Sequence, residues 1–140
     1  MKTGVLALQG SFFDHVKSLD LIGKEYKLIK SVSDLDNIDS LILPGGESTA
    51  MMKIQKDDKL FENIKNKIND GIPTLGTCAG LILLAKDVID GQSSIACIDT
   101  VVERNAYGRQ NESFEALVEF NGNKEMYCFI RAPKIISYGN

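Results

Sequence analysis

Along the first half of the chain, short continuous apolar runs ending in glycine alternate with stretches in which apolar residues recur at helical spacing. Thr3 to Leu8 (T-G-V-L-A-L) is a run of the first kind; Gln9-Gly10 ends it, and it predicts a buried strand and a turn. Ser11 is a capping type ahead of a predicted helix whose apolar positions are Phe12, Val16, Leu19 and Ile22, with Gly23 as its stop. Tyr26 to Ile29 predicts a second strand, and Ser40 to Leu43 a third, stopped sharply by Pro44-Gly45-Gly46. Ser48 and Thr49 are cap types ahead of a helix-compatible stretch from Ala50 to Gln55; a second helix runs from Leu60 to Ile68 and stops at Gly71. Ile72 to Gly76 reads as a fourth strand and Ala79 to Ala85 as a buried helix.

A strand-helix-strand rhythm of this kind predicts a parallel sheet covered by helices on both faces. Such sheets bind ligands beyond the carboxyl ends of their strands, which singles out the loops after Leu8, Leu43 and Leu75. From Val101 onward the pattern turns strand-like: Val101 to Arg104, Ser113 to Phe120 and Tyr127 to Arg131. A polar loop, Asn105 to Glu112, separates the first two, and Asn121-Gly122-Asn123 is a turn signal. No linker, repeat or low-complexity segment interrupts the chain, so residues 1–140 read as one α/β domain with a β-rich second half.

Composition narrows the function without identifying it. The chain has 140 residues, 44% hydrophobic and 25% charged, with a net charge of −3. No Lys/Arg cluster is dense enough for a nucleic-acid partner, and no apolar run reaches the roughly 20 residues of a membrane helix. Cys78, Cys97 and Cys128 are odd in number and irregularly spaced, which fits neither a disulfide framework nor a metal site. A reducing, cytoplasmic location is the expectation.

The densest chemistry lies in Pro73 to Gly80, P-T-L-G-T-C-A-G. Strand, Gly-x-Cys-x-Gly, then helix is the cysteine form of a nucleophile elbow. The tight turn forces the nucleophile into a strained backbone conformation, and Gly76 and Gly80 keep side chains out of the way. Cys78 then sits at a helix N-terminus, which favours the thiolate, and the N–H of Ala79 is placed to donate to an oxyanion. The residues alone leave open a second reading, a free cysteine acting as a small buried hydrophobe. For Cys97 and Cys128, in apolar contexts without flanking glycines, that core reading is the expectation.

In Leu41 to Thr49, L-I-L-P-G-G-E-S-T, bare backbone approaches the sheet edge. There Gly46 N–H is a second candidate oxyanion donor, and Glu47 and Ser48 are candidates to grip a polar substrate; a plain turn and cap is the alternative. Arg104 and Arg109, within V-V-E-R-N-A-Y-G-R-Q-N-E-S-F-E, and Arg131, in F-I-R-A-P, can each bind a carboxylate bidentately or simply face solvent.

Taken in order, L-A-L-Q-G, L-I-L-P-G-G-E-S-T, G-T-C-A-G-L-I-L-L-A, V-E-R-N-A-Y-G-R-Q…S-F-E and F-I-R-A-P resemble the glutaminase subunit of pyridoxal 5′-phosphate synthase, over essentially the whole chain. The resemblance implies a flavodoxin-like class I glutamine amidotransferase fold, a three-layer sandwich with a mostly parallel central sheet. It implies that Cys78 attacks the glutamine side-chain amide to form a thioester, with Gly46 and Ala79 N–H groups holding the oxyanion. Gly46, Glu47, Ser48, Arg104, Ile130 and Arg131 match the family's glutamine-binding positions. The implied partners are L-glutamine and a (β/α)8-barrel synthase subunit that receives the ammonia for vitamin B6 biosynthesis; no cofactor or metal is implied.

One expected part is not found. Family members complete a triad with a His-x-Glu pair in an F-H-P-E segment downstream of the R-A-P strand, and this sequence ends at Asn140 before it. The expectation is therefore a C-terminally truncated chain lacking a closing strand and helix, with a core incompletely covered. The only histidine, His15, is expected on a surface or partner-facing side of the first helix. Two further functions remain in play: an inactive homologue that only binds glutamine or the synthase, and a thiol-based redox protein, against which P-G-G-E-S-T argues.

Overall fold

The computed structural model describes residues 1–54 and 59–139. Its first half follows the predicted rhythm. Strands β1 (Lys2–Leu6), β2 (Glu25–Ile29), β3 (Ser40–Leu43) and β4 (Thr74–Gly76) form a sheet in the order β2-β1-β3-β4, parallel throughout. The register sets Val5 beside Leu28 and Ile42, and Ile42 beside Leu75. Helices α1 (Phe12–Leu21), α2 (Ser48–Ile54), α3 (Leu60–Asn69) and α4 (Ala79–Leu84) flank it. Leu6, Ile29, Leu41, Leu43, Met51, Leu60, Ile64 and Leu83 are fully buried in one cluster, each side chain contributing about 1.5–3 kcal/mol by leaving water. Among the described residues no helix is long and apolar enough to cross a membrane.

The second half carries two smaller sheets. β5 (Ala85–Val88) pairs parallel with β6 (Ile98–Glu103), and β6 pairs antiparallel with β9 (Lys134–Tyr138). β7 (Phe114–Phe120) and β8 (Asn123–Phe129) form a hairpin. Its two-residue loop, Asn121-Gly122, has positive φ at both positions (51° and 79°), the requirement of a type I′ turn. Ile82, Ala85, Val88 and Val102 form a small buried cluster that joins α4 to this half.

Several local expectations change. Ser11 occupies the N-cap position of α1 but makes no side-chain cap bond. Ile22, expected on the inward face of α1, is 65% exposed, and Leu19 is the buried residue of that helix. Gly23, at φ +63°, does close α1. The cap of α2 is neither Ser48 nor Thr49. Glu47 supplies it, one carboxylate oxygen accepting the Thr49 N–H at 3.1 Å and the other the Ala50 N–H at 2.8 Å. Gln55, the expected end of that helix, lies outside the described residues. Ala85 opens β5 instead of ending α4, and neither β5 nor β9 was expected. Arg104 and Arg131 fall just beyond strands β6 and β8, in turns. Cys97 packs partly buried against the main core, and burial pushes its thiol pKa up. Cys128, expected in the core, is exposed on the hairpin.

Candidate active site

Because β1, β3 and β4 run parallel, the loops that follow them emerge at one edge of the sheet. There they are in contact. Gly10 comes so close to Gly45 and Gly46 that a Cβ at Gly10 would meet the Gly46 Cα at 2.8 Å. Ser11 N–H donates to the Gly45 carbonyl at 3.3 Å, and Gln9 Nε2 donates to the Glu47 carbonyl at 2.7 Å. Gly45 in turn lies against Cys78, whose Cβ is 3.4 Å from the position a Gly45 Cβ would take.

The elbow has the expected geometry. Cys78 stands at the N-cap of α4 with φ 49° and ψ −105°, a conformation side-chain-bearing residues rarely adopt. Thr77 N–H donates to the Leu43 carbonyl at 3.0 Å, and the Thr77 carbonyl accepts Gly80 N–H at 2.9 Å, so the turn is held on both sides of the cysteine. A Cβ at Gly76 would sit 2.6 Å from Leu84 Cδ1, and one at Gly80 would run into the Leu43 carbonyl. The thiol itself is exposed, which removes the buried-hydrophobe reading for this cysteine.

A cleft of roughly 140 Å³ opens beside it, lined by Gly46, Glu47, Ser48, Cys78, Ile82, Arg104, Asn105, Ile130 and Arg131. That volume is well below the roughly 300 Å³ at which drug-sized pockets begin, and suits a ligand the size of an amino acid. Every residue expected to bind substrate (Gly46, Glu47, Ser48, Arg104, Ile130, Arg131) is there with Cys78. Ala79 is buried behind the wall, with its N–H at the unpaired first position of α4. Ile82 and Asn105 were not foreseen. Ile82 follows Cys78 by one helical turn, a spacing that marks it in retrospect. Arg109 faces solvent away from the cleft.

The cleft holds paired charges. Arg104, only 16% exposed, places Nη1 3.0 Å from Asp90 Oδ2 and Nη2 3.7 Å from Glu47 Oε1. Burial pulls the Glu47 carboxyl pKa up, but the N–H groups of Ala50 and Thr49 and the nearby Arg104 outweigh it and hold the group below its ordinary value. Glu47 is therefore an anion at neutral pH. Ser48, 3% exposed, donates its hydroxyl to Gln92 Oε1 at 3.0 Å. Arg131, at φ 48°, donates Nε–H to Asn105 Oδ1 at 3.2 Å. The hairpin carries Ile130 and Arg131 to the cleft, and a stack of Tyr107, Phe114 and Phe129, with ring centroids 5.0 to 5.9 Å apart, ties the 104–109 loop to the hairpin's base.

His15 departs from expectation. It is half-buried, with Nε2 3.0 Å from Thr77 Oγ1, and so braces the residue that precedes Cys78 without being placed on the thiol. Among the described residues no cluster of three or more His, Cys, Asp or Glu is arranged to hold a metal.

Comparison with known proteins places this geometry in context. The model of the SNO glutamine amidotransferase family matches residues 5–140. The chain is 47% identical over 142 residues to the pyridoxal 5′-phosphate synthase subunit PdxT of Thermosipho africanus, an alignment covering 99% of this chain and 76% of the relative. It is 51% identical over 142 residues to the subunit of the same name from Methanocorpusculum labreanum, covering 99% of this chain and 75% of that one. The crystal structure of a glutamine amidotransferase superposes with a TM-score of 0.87 at 38% identity, covering 98% of this chain and 75% of the other.

Proposed function

The chain belongs to the SNO glutamine amidotransferase family, a family of enzymes, and we propose that it hydrolyses L-glutamine through a thioester on Cys78 and passes the ammonia to a pyridoxal 5′-phosphate synthase subunit. In this reading residues 1–140 act as a single glutamine amidotransferase domain. The observation that carries it is the cleft. An exposed cysteine on a strained elbow shares a small pocket with two arginines and an ionised glutamate.

Those charges suit a zwitterion. The substrate's α-carboxylate pairs with Arg104 and Arg131, and its ammonium group lies toward Glu47, which leaves the side-chain amide to reach Cys78. Sulfur attacks the amide carbon, and the N–H groups of Gly46 and Ala79 stabilise the negative oxygen that forms. The carbon–nitrogen bond then breaks, and the proton lost by the thiol leaves on ammonia. Water cleaves the thioester to glutamate and frees the thiol. The synthase partner follows from the PdxT relatives, which are named as subunits of that enzyme and match 99% of this chain.

A glutamine-analogue electrophile tests the reading directly. It should add one equivalent of mass at Cys78, be blocked by excess glutamine, and fail to label Cys78→Ala. Labelling that glutamine does not compete away would remove the glutamine site. A second reading, binding without turnover, draws on one observation: His15, the only histidine in these 140 residues, is engaged with Thr77 rather than Cys78. It expects glutamine affinity without glutamate release.

A further inference from the structure

Asp90 and Gln92 stand two residues apart just beyond β5, and neither lines the cleft. Their hydrogen bonds nevertheless reach both of its walls. Asp90 uses both carboxylate oxygens: Oδ2 receives Arg104 Nη1 at 3.0 Å, and Oδ1 accepts the Gln92 N–H at 3.2 Å. Gln92 Oε1 accepts the hydroxyls of Ser48 at 3.0 Å and Thr49 at 2.9 Å. Glu47 closes the ring, accepting the Thr49 N–H at 3.1 Å and standing 3.7 Å from Arg104 Nη2. The three segments that meet here lie far apart in sequence: the hydrogen-bonded Ser48 and Gln92 are 44 positions apart, and the Glu47–Arg104 link spans more.

Two details mark the ring as more than a fold contact. The start of α2 is already capped by the Glu47 carboxylate, so Gln92 is not needed to satisfy its N–H groups. Gln92 Nε2 is also buried without a hydrogen-bond partner among the described residues. An orphaned buried donor is a cost, and such costs gather at functional sites.

We propose that Asp90 and Gln92 position the substrate-binding walls of the cleft, Asp90 by orienting the Arg104 guanidinium and Gln92 by fixing Ser48. This rests on the glutaminase reading above. A guanidinium already seated on Asp90 presents its remaining N–H groups to the α-carboxylate without first being ordered. Without Asp90, binding must order that long side chain, and the cost falls on affinity, not on the chemical step. KM should therefore rise while kcat holds.

The test is steady-state glutamate release by the full-length protein with the synthase subunit present, comparing wild type with Asp90→Asn, Asp90→Ala and Gln92→Met. For the Asp90 variants KM should rise about tenfold with kcat within about twofold, Gln92→Met showing a smaller rise in the same direction. Carbamidomethylation of Cys78 by iodoacetamide, a neutral reagent that does not use the cleft's charges, should keep its rate. Asp90→Asn added to Arg104→Ala should cost nothing beyond Arg104→Ala alone, because both changes remove one function. An unchanged KM, fully additive effects, or a loss of iodoacetamide reactivity alongside kcat would each overturn the positioning role while wild type remains active. A wild type silent toward glutamine would take down the glutaminase reading itself, and this inference with it.

Discussion

Cys78 is held at φ 49° and ψ −105°, and the surrounding chain must supply the free energy that keeps it there. Strain of this kind costs on the order of 1–3 kcal/mol for a residue with a Cβ and little for glycine. Cys78→Gly should therefore be more stable than Cys78→Ala by about 1 kcal/mol in urea unfolding, although both lose the thiol. Equal stabilities would mean the elbow is not strained. A second residue-scale expectation concerns His15 and Thr77. Removing either side of their 3.0 Å contact, His15→Ala or Thr77→Val, should slow thioester formation, with a coupling energy of about 1 kcal/mol in the double-mutant cycle. Additive effects would make His15 an ordinary helix residue. The elbow was legible in the sequence because its demands are local: Gly76 and Gly80 flank the cysteine within a strand-to-helix turn, and each stands where a Cβ has no room. Asp90, Gln92 and Asn105 were not legible. Each is a polar residue in a loop or turn where polar residues are ordinary, and its role depends on partners distant in sequence, as in the Gln92–Ser48 and Asn105–Arg131 contacts.

At the scale of elements, α2 is held at its start by an anion. The sequence suggested Ser48 or Thr49 as the cap, since serine and threonine are the common types, but both hydroxyls are turned toward Gln92 and the carboxylate one residue earlier takes the N–H groups. Glu47 has its pKa lowered in the folded state, so its stabilisation is fully present above its unfolded value and is lost as pH falls through the folded one. Asp34, held low chiefly by the Lys30 N–H and then by the Ser31 hydroxyl, adds to the same acid limb. Glu47→Gln should cost about 1 kcal/mol at neutral pH and nothing at a pH below the carboxylate range, where wild type and variant converge. Urea unfolding across that range measures it, and a pH-independent difference would show that charge has no part in the cap. The missed strands have a physical explanation as well. In Ala85–Val88 two charged residues separate two buried ones directly after an apolar helix, so neither alternation nor a breaker announces the change. All five residues of β9 are exposed, which erases the usual strand pattern. The hairpin, by contrast, was announced by Asn121-Gly122.

Across the whole molecule, the two halves are packed unequally. The parallel sheet buries Val5, Leu6, Ile29, Leu41 and Leu43, whereas the β-rich half leaves Leu117, Phe120, Met126, Ile135, Ile136 and Tyr138 exposed. Local opening follows burial, so amide exchange should be slowest in β1 and β3 and faster by orders of magnitude in β7, β8 and β9. Uniform protection would contradict that division. The parallel half and the edge where the cleft opens were legible because strand–turn–helix punctuation dictates them. How Arg104 and Arg131 reach that edge was not, since the hairpin's turn is a local signal but the aromatic stack that ties the 104–109 loop to its base is a contact between distant segments.

The central claim is that this cleft turns glutamine over on Cys78. Its most direct test is glutamate release from glutamine, measured with and without an added pyridoxal 5′-phosphate synthase subunit, for wild type and Cys78→Ala. The expected result is release that rises with the synthase subunit and disappears in Cys78→Ala. Release that survives in Cys78→Ala, or its absence from a folded wild-type protein with the synthase subunit present, would contradict the claim.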